Sequence, residues 1–272
     1  MLPFIHLFGH DVATWGLVIA AAFLLGAAVA VLLSRRLGAS VEDSFYALLY
    51  ACIGVLIGGK LLYLLTSIPL LCSLLQSGVS LRALIPQLAR GGFVLYGGIA
   101  GGLAGIWIYA RQFRLAPWPL ARPLIAVIPL LQGLGRLGCF AAGCCYGRRC
   151  EQGIVFTVSP VAPNHVPLIP TQLIEAAVGL VIFVIILRFT LKGMGARRLL
   201  AVYLLLYGSA RFLIEFLRGD PERGFLFGLS TSQWLSLAAL LIAVRLLAGS
   251  GYRKSADSGG EGGGQAAEDG RS

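Results

Sequence analysis

The sequence predicts an all-α membrane protein of about seven transmembrane helices with a small extracytoplasmic cap. Three observations predict it. Of the 272 residues 57% are hydrophobic, only 12% are charged, and the apolar residues fall in seven runs separated by short basic clusters. Soluble domains carry roughly 25% charged residues, so a water-exposed globule of this composition is excluded. A mean hydropathy of +0.83 points the same way. The formal charge of +10 does not indicate nucleic acid, because the basic residues form no patch interleaved with aromatics.

The seven runs are approximately 12–33, 45–65, 93–110, 123–140, 171–189, 199–217 and 229–248. Each approaches the ~20 residues needed to cross ~30 Å of hydrocarbon. The first is read as a retained helix rather than a signal peptide, since residues 1–11 contain no Lys or Arg and the run exceeds an h-region. The fourth carries Pro129 and ends in a glycine-rich, Arg-containing stretch, so a kink or partial unwinding is expected there. Thirteen Lys and Arg, among them Arg35, Arg36, Arg111, Arg197 and Arg198, flank one side of the spans. Six lie on the other: Arg82, Arg90, Arg148, Arg149, Arg218 and Arg223. By the positive-inside rule the richer side is cytoplasmic, which puts the N-terminus outside and the C-terminus inside.

Residues 1–248 therefore form a polytopic membrane domain, with cap segments at about 66–92 and 139–170. In the first segment Leu81, Leu84, Ile85 and Leu88 make a helical apolar stripe, with Arg82 and Arg90 off it and Pro86 as a potential break. The second holds Cys139, Cys144, Cys145 and Cys150, with a strand-like Ile154–Ser159. Residues 249–272 are rich in Gly, Ser and charge, without apolar periodicity, and are expected to be a disordered cytoplasmic tail.

Five ionisable residues stand inside spans, where each costs roughly 2.5–3.5 kcal/mol on insertion scales: Lys60, Arg136, Glu175, Arg211 and Glu215. Arg211 and Glu215 are four apart and can pair along one helix face. Lys60 can snorkel. Arg136 lies in Gly133-Leu134-Gly135-Arg136-Leu137-Gly138, where glycine backbone beside a guanidinium suggests an anion cradle. The small residues Gly97, Gly101 and Gly105 recur at four-residue spacing, which suits tight helix packing, a lipid groove, or both.

Together these residues resemble the prolipoprotein diacylglyceryl transferase family of bacterial inner membranes. Gly135-Arg136-Leu137-Gly138-Cys139-Phe140-Ala141-Ala142-Gly143 is similar to its Gly-Arg-x-Gly-Asn-Phe-x-Asn-Gly signature. Pro170-Thr171-Gln172-Leu173-Ile174-Glu175 is similar to its Pro-Ser-Gln-Leu-Tyr-Glu segment. Arg211-Phe212, with Glu215-Phe216 and Arg218 after it, resembles the late Arg-Phe and Glu-Phe element. Gly91-Gly92-Phe93 through Gly98, and Gly58-Gly59-Lys60, match two further segments in order.

The resemblance implies transfer of the diacylglyceryl group of phosphatidylglycerol to the lipobox cysteine of a prolipoprotein, with no metal or other cofactor. Partners are then phosphatidylglycerol, the prolipoprotein signal peptide and membrane lipids, and not nucleic acid. Arg136 and Arg211 match family arginines suited to a phosphate leaving group, and Glu175 and Glu215 would orient them or move a proton. Tyr96 stands where the family has His before Gly97-Gly98, Cys139 replaces the signature Asn, and Cys144 stands where an acidic residue follows. The catalytic residues are accordingly expected among Arg136, Arg211, Glu215, Tyr96, Cys139 and Cys144. Lys60, Gly97, Gly98, Gly138 and Glu175 are expected to bind substrate, and no metal ligand is assigned. Two alternatives remain open: thiol redox or metal chemistry at the Cys139–Cys150 cluster, and a non-catalytic lipid-binding role.

Overall fold

The computed structural model describes residues 4–7, 10–78, 80, 84, 86, 88, 95–219 and 225–258. Among them run seven α-helices: α1 (Thr14–Arg36), α2 (Val41–Gln76), α3 (Leu95–Gln112), α4 (Pro117–Ala142), α5 (Thr171–Leu191), α6 (Ala196–Ile214) and α7 (Thr231–Ser258). Three two-stranded antiparallel sheets punctuate them: β1 (Phe4–Leu7) with β2 (His10–Ala13), β3 (Arg149–Val155) with β4 (Pro167–Leu168), and β5 (Phe225–Leu226) with β6 (Leu229–Ser230).

Six stretches among the described residues are long and apolar enough to cross a membrane: Thr14–Arg36, Val41–Ile68, Pro117–Ala142, Thr171–Leu191, Ala196–Leu217 and Thr231–Ala248. The protein is thus a multi-pass all-α membrane protein. The remaining expected run, the third, corresponds to α3, whose 18 residues rise about 27 Å. Its five glycines and the closing Arg111-Gln112 go with its absence from those six. Leu24, Leu103 and Leu241 all project outward and exposed, a surface matched to lipid and unsuited to water.

Several boundaries differ from the expectation. The fourth run is not unwound but one continuous helix of 26 residues. Pro117 and Pro119 fall in its first turn, where no intrahelical N–H is lost, while Pro123 and Pro129 are fully buried in packing that holds the helix together. Helix α2 continues to Gln76, well into the expected first cap segment. Of the predicted stripe there, Leu84 and Leu88 are described and helical, and Leu84 is buried. Leu81, Ile85, Arg82 and Arg90 lie outside the described residues. Helix α7 reaches Ser258, so residues 249–258 continue an established helix, which is easier than nucleating a new one. Residues 259–272 lie outside the described residues.

The chain forms two compact units, residues 27–124 and residues 1–26 with 125–272. In the first, α2 and α3 meet backbone to backbone. A methyl group at Gly101 would collide with the Gly54 carbonyl, one at Gly97 with that of Gly58, and one at Gly105 with that of Tyr50. Only glycine permits such an approach. Ser40 opens α2 by accepting the Asp43 N–H at 3.1 Å, a capping arrangement with Glu42 and Asp43 in the first turn. Tyr109 of α3 donates to Asp43 Oδ1 at 2.7 Å.

In the second unit, Gly133 of α4 lies against the backbone of Ala176 and Leu180 of α5, and Gly179 returns the contact against Gly133. Gly138 faces Trp15 and Val18 of α1. The cap between α4 and α5 has its own core of Phe156, Ala162 and Leu168, flanked by Phe140, Tyr146 and Val166. Its strand runs Arg149–Val155 rather than Ile154–Ser159. Phe156 turns inward, and Ser159 and Asn164 close the following turn on each other at 2.7 and 3.0 Å.

Candidate active site at the α4–α5–α6 junction

Three helices of the second unit each contribute a charge to one point, buried at Glu175 and Arg211 and part-buried at Arg136. Arg136 comes from α4, Glu175 from the second turn of α5 and Arg211 from the end of α6. Glu175 uses both carboxylate oxygens: Oε2 meets Arg136 Nε at 2.5 Å and Oε1 meets Arg211 Nη1 at 3.2 Å. Arg211 Nη2 adds Glu215 Oε2 at 2.8 Å and Ser232 Oγ at 2.9 Å. Glu215 sits in a 3-10 turn that closes α6, so the expected pair four residues apart does form. Two arginines and two glutamates balance, which is what such depth demands.

Exposure separates the two arginines. The Arg211 side chain is 10% exposed and both terminal nitrogens are engaged. The Arg136 side chain is 20% exposed, and Glu175 takes only its Nε. Arg136 therefore presents an oriented fork, while Arg211 belongs to the frame that orients it. The glycines around Arg136 do not form a backbone anion cradle, because their N–H groups belong to helix α4. What Gly133 and Gly138 supply is room for α5 and α1.

The second feature is the turn that follows α4. Cys139 is still in the last turn of that helix, and Gly143 (φ 71°) and Cys145 (φ 59°) then reverse the chain. A left-handed non-glycine residue persists only where its surroundings hold it. Here Thr171 Oγ1 donates to the Cys145 carbonyl at 2.8 Å and Gln172 Nε2 to the Cys144 carbonyl at 2.8 Å. Both side chains are fully buried. Gly147 is pinned to Ile169 and Gly219 to Tyr146. One stretch of α5 thus clamps the cysteine turn with Thr171 and Gln172 and, one turn on, orients both arginines with Glu175.

The turn gathers three of the four clustered cysteines. The Sγ atoms of Cys139, Cys144 and Cys145 all lie within 4.8 Å of one another. Cys150 is exposed on β3 and stands outside the trio. Hydrogen bonds from Cys139 and Cys144 hold the Cys145 thiol well below its ordinary range, and Arg218 and Arg136 act in the same sense. The same sulfur contacts push Cys144 up. Of the three, Cys145 is the thiol whose charged form its surroundings favour most.

The structure therefore brings together Arg136, Glu175, Arg211, Glu215, Cys139 and Cys144 in one unit, with Gly138 beside them on α4. Lys60, Tyr96, Gly97 and Gly98 belong to the other unit. There Lys60 Nζ donates to the Leu88 carbonyl at 2.7 Å and lies 5.0 Å from the Tyr63 ring. Tyr96 stands in the first turn of α3, followed by buried Gly97 and Gly98. Sequence reasoning passed over Cys145 as a site residue and missed the clamping role of Thr171 and Gln172 and the contribution of Ser232. Thr171 and Gln172 did stand in a quoted motif, but only the fold shows what their side chains grip.

A sequence model of the prolipoprotein diacylglyceryl transferase family matches residues 3–248. Among curated proteins, the chain is similar to the phosphatidylglycerol–prolipoprotein diacylglyceryl transferase of Clostridium tetani. The identity is 35% over 248 residues, covering 88% of this chain and 93% of the relative. It is 31% identical over 243 residues to transferase 2 of Clostridium perfringens, covering 89% and 92% of the two chains. A similar match, 31% over 243 residues, covers 86% of this chain and 88% of the transferase of Azoarcus sp. strain BH72. With the buried charges and the membrane helices in place, the match over nearly its whole length settles that this chain belongs to the prolipoprotein diacylglyceryl transferase family.

Proposed function

We propose that this chain moves the diacylglyceryl group of phosphatidylglycerol onto the cysteine thiol of a prolipoprotein lipobox, in a bacterial inner membrane. The observation that carries the reading is Arg136, held at Nε by Glu175 and still partly open on a buried floor. In this reaction a C–S bond forms and the C–O bond to phosphate breaks, so negative charge gathers on the departing glycerol phosphate. A guanidinium fork fixed in advance and shielded from water stabilises that charge strongly. Glu175 orients the fork, and Arg211, tied to Glu215 and Ser232, fixes Glu175. The signal peptide of the acceptor and the acyl chains of the donor both lie in the bilayer, which suits a site entered from lipid. The basic bias of the connecting segments supports an orientation with the N-terminus outside and the C-terminus in the cytoplasm.

The test is complementation of a strain depleted of its own transferase. Expression of this chain restores growth and lipoprotein modification, and Arg136→Ala, inserted at equal level, does not. Failure of the inserted, folded parent to modify any lipoprotein would contradict the reading.

A further inference from the structure

We propose that Cys139, Cys144 and Cys145 hold a zinc ion in an open three-thiolate site whose fourth position takes the acceptor cysteine of the substrate. The role rests on the transferase reading above; the site itself rests on geometry. The three Sγ atoms lie within 4.8 Å of one another. Thiolates bound at about 2.3 Å to one cation stand about 4 Å apart, so loading requires only a small closing movement. An all-sulfur donor set selects a soft or borderline cation over magnesium or calcium.

The positions are also fixed in advance. Thr171 and Gln172 grip the carbonyls of Cys145 and Cys144, and Cys145 is held in a left-handed conformation. The Oε1 atom of the same Gln172 is buried without a hydrogen-bond partner among the described residues. Three thiolates and a divalent cation carry one net negative charge, and Arg136 stands on the same helix as Cys139.

Such a site suits the chemistry. Thioether formation requires a thiolate, and Tyr96 stands where the family resemblance has a histidine. A zinc with three protein ligands and one open position is the catalytic rather than the structural type, and a thiol that coordinates such a cation is deprotonated outright. Loading releases whatever protons the three sulfurs still carry as three Zn–S bonds form. The acceptor thiol then coordinates and gives its proton to water. Its sulfur attacks the glyceryl carbon bearing the phosphate ester, the C–S bond forms and the C–O bond breaks. The electron pair leaves on the glycerol phosphate oxygen, stabilised by Arg136. Arg136 lies three residues before Cys139 on α4, so the two functions share one helix face.

The experiment uses the full chain in detergent or nanodiscs, loaded with zinc or with cobalt(II) as a spectroscopic substitute. One cation per chain is expected, with Cys139, Cys144 and Cys145 protected from alkylation while Cys52, Cys72 and Cys150 react. The thiolate-to-cobalt absorption should shift when a lipobox peptide is added and stay unchanged with the same peptide bearing Ser for Cys. Cys145→Ser should weaken binding beyond the ~10–100-fold typical of losing an outer-shell partner, and Cys150→Ser should leave it unchanged. Equal alkylation of all six cysteines with and without metal would overturn the site, as would a disulfide within the trio in protein taken from native membranes. Full-rate transfer by the metal-free protein would overturn the role and leave the transferase reading standing. A peptide-dependent cobalt shift without any transfer from phosphatidylglycerol would instead overturn the transferase reading, and with it the role of the metal.

Discussion

Glu175 is the residue on which the site turns, because one buried carboxylate satisfies buried Arg211 and part-buried Arg136. Removing one partner of a buried ion pair leaves an uncompensated charge and costs about 3–5 kcal/mol. Glu175→Ala should therefore lower the unfolding midpoint in detergent sharply, with less protein surviving extraction. The two arginines should separate by assay. Arg136→Ala should slow transfer by about 10²–10³-fold, the loss expected for one charge-stabilising donor, and retain most folded protein. Arg211→Ala, whose terminal nitrogens already hold Glu175, Glu215 and Ser232, should lose folded protein as well as activity. Transfer rates normalised to folded protein by size-exclusion decide between the two. At this scale the sequence was informative about cost, since a charge in an apolar run is visible without a structure. It was silent about partners: Glu175 is 36 residues from Arg211 and 39 from Arg136, and only the fold brings them together.

Helix α4 shows why element-level reading partly failed. Prolines and glycines in a span argue for unwinding when the helix is considered alone. In the folded chain Pro123 and Pro129 are buried, and Gly133 and Gly179 let α4 and α5 touch backbone to backbone. Tertiary packing overrides local propensity there. The Gly97, Gly101 and Gly105 run was legible, because small residues at four-residue spacing mark a helix interface, and α2 supplies matching Gly54 and Gly58. Gly101→Ala places a methyl group on the Gly54 carbonyl. We expect that variant to insert poorly and to become protease-sensitive between α2 and α3. Gly16→Ala, where nothing lies within 4 Å of the added carbon, should behave like the parent. Equal protease resistance of the two variants would show that the close approach does not matter.

At the scale of the whole molecule, composition alone established a multi-pass membrane protein, because lipid admits few other chains this apolar. Orientation rests on charge. An enzyme reporter active only outside the cytoplasm, fused after Ala248, should be inactive, and activity there would reverse the topology. The reaction is the central claim, and the direct measurement is mass spectrometry of a lipobox peptide incubated with the purified chain in phosphatidylglycerol vesicles. A peptide heavier by one diacylglyceryl group, joined through its cysteine sulfur, is expected, with strongly reduced product from Arg136→Ala. An unmodified peptide in the presence of folded, membrane-inserted parent protein would contradict it.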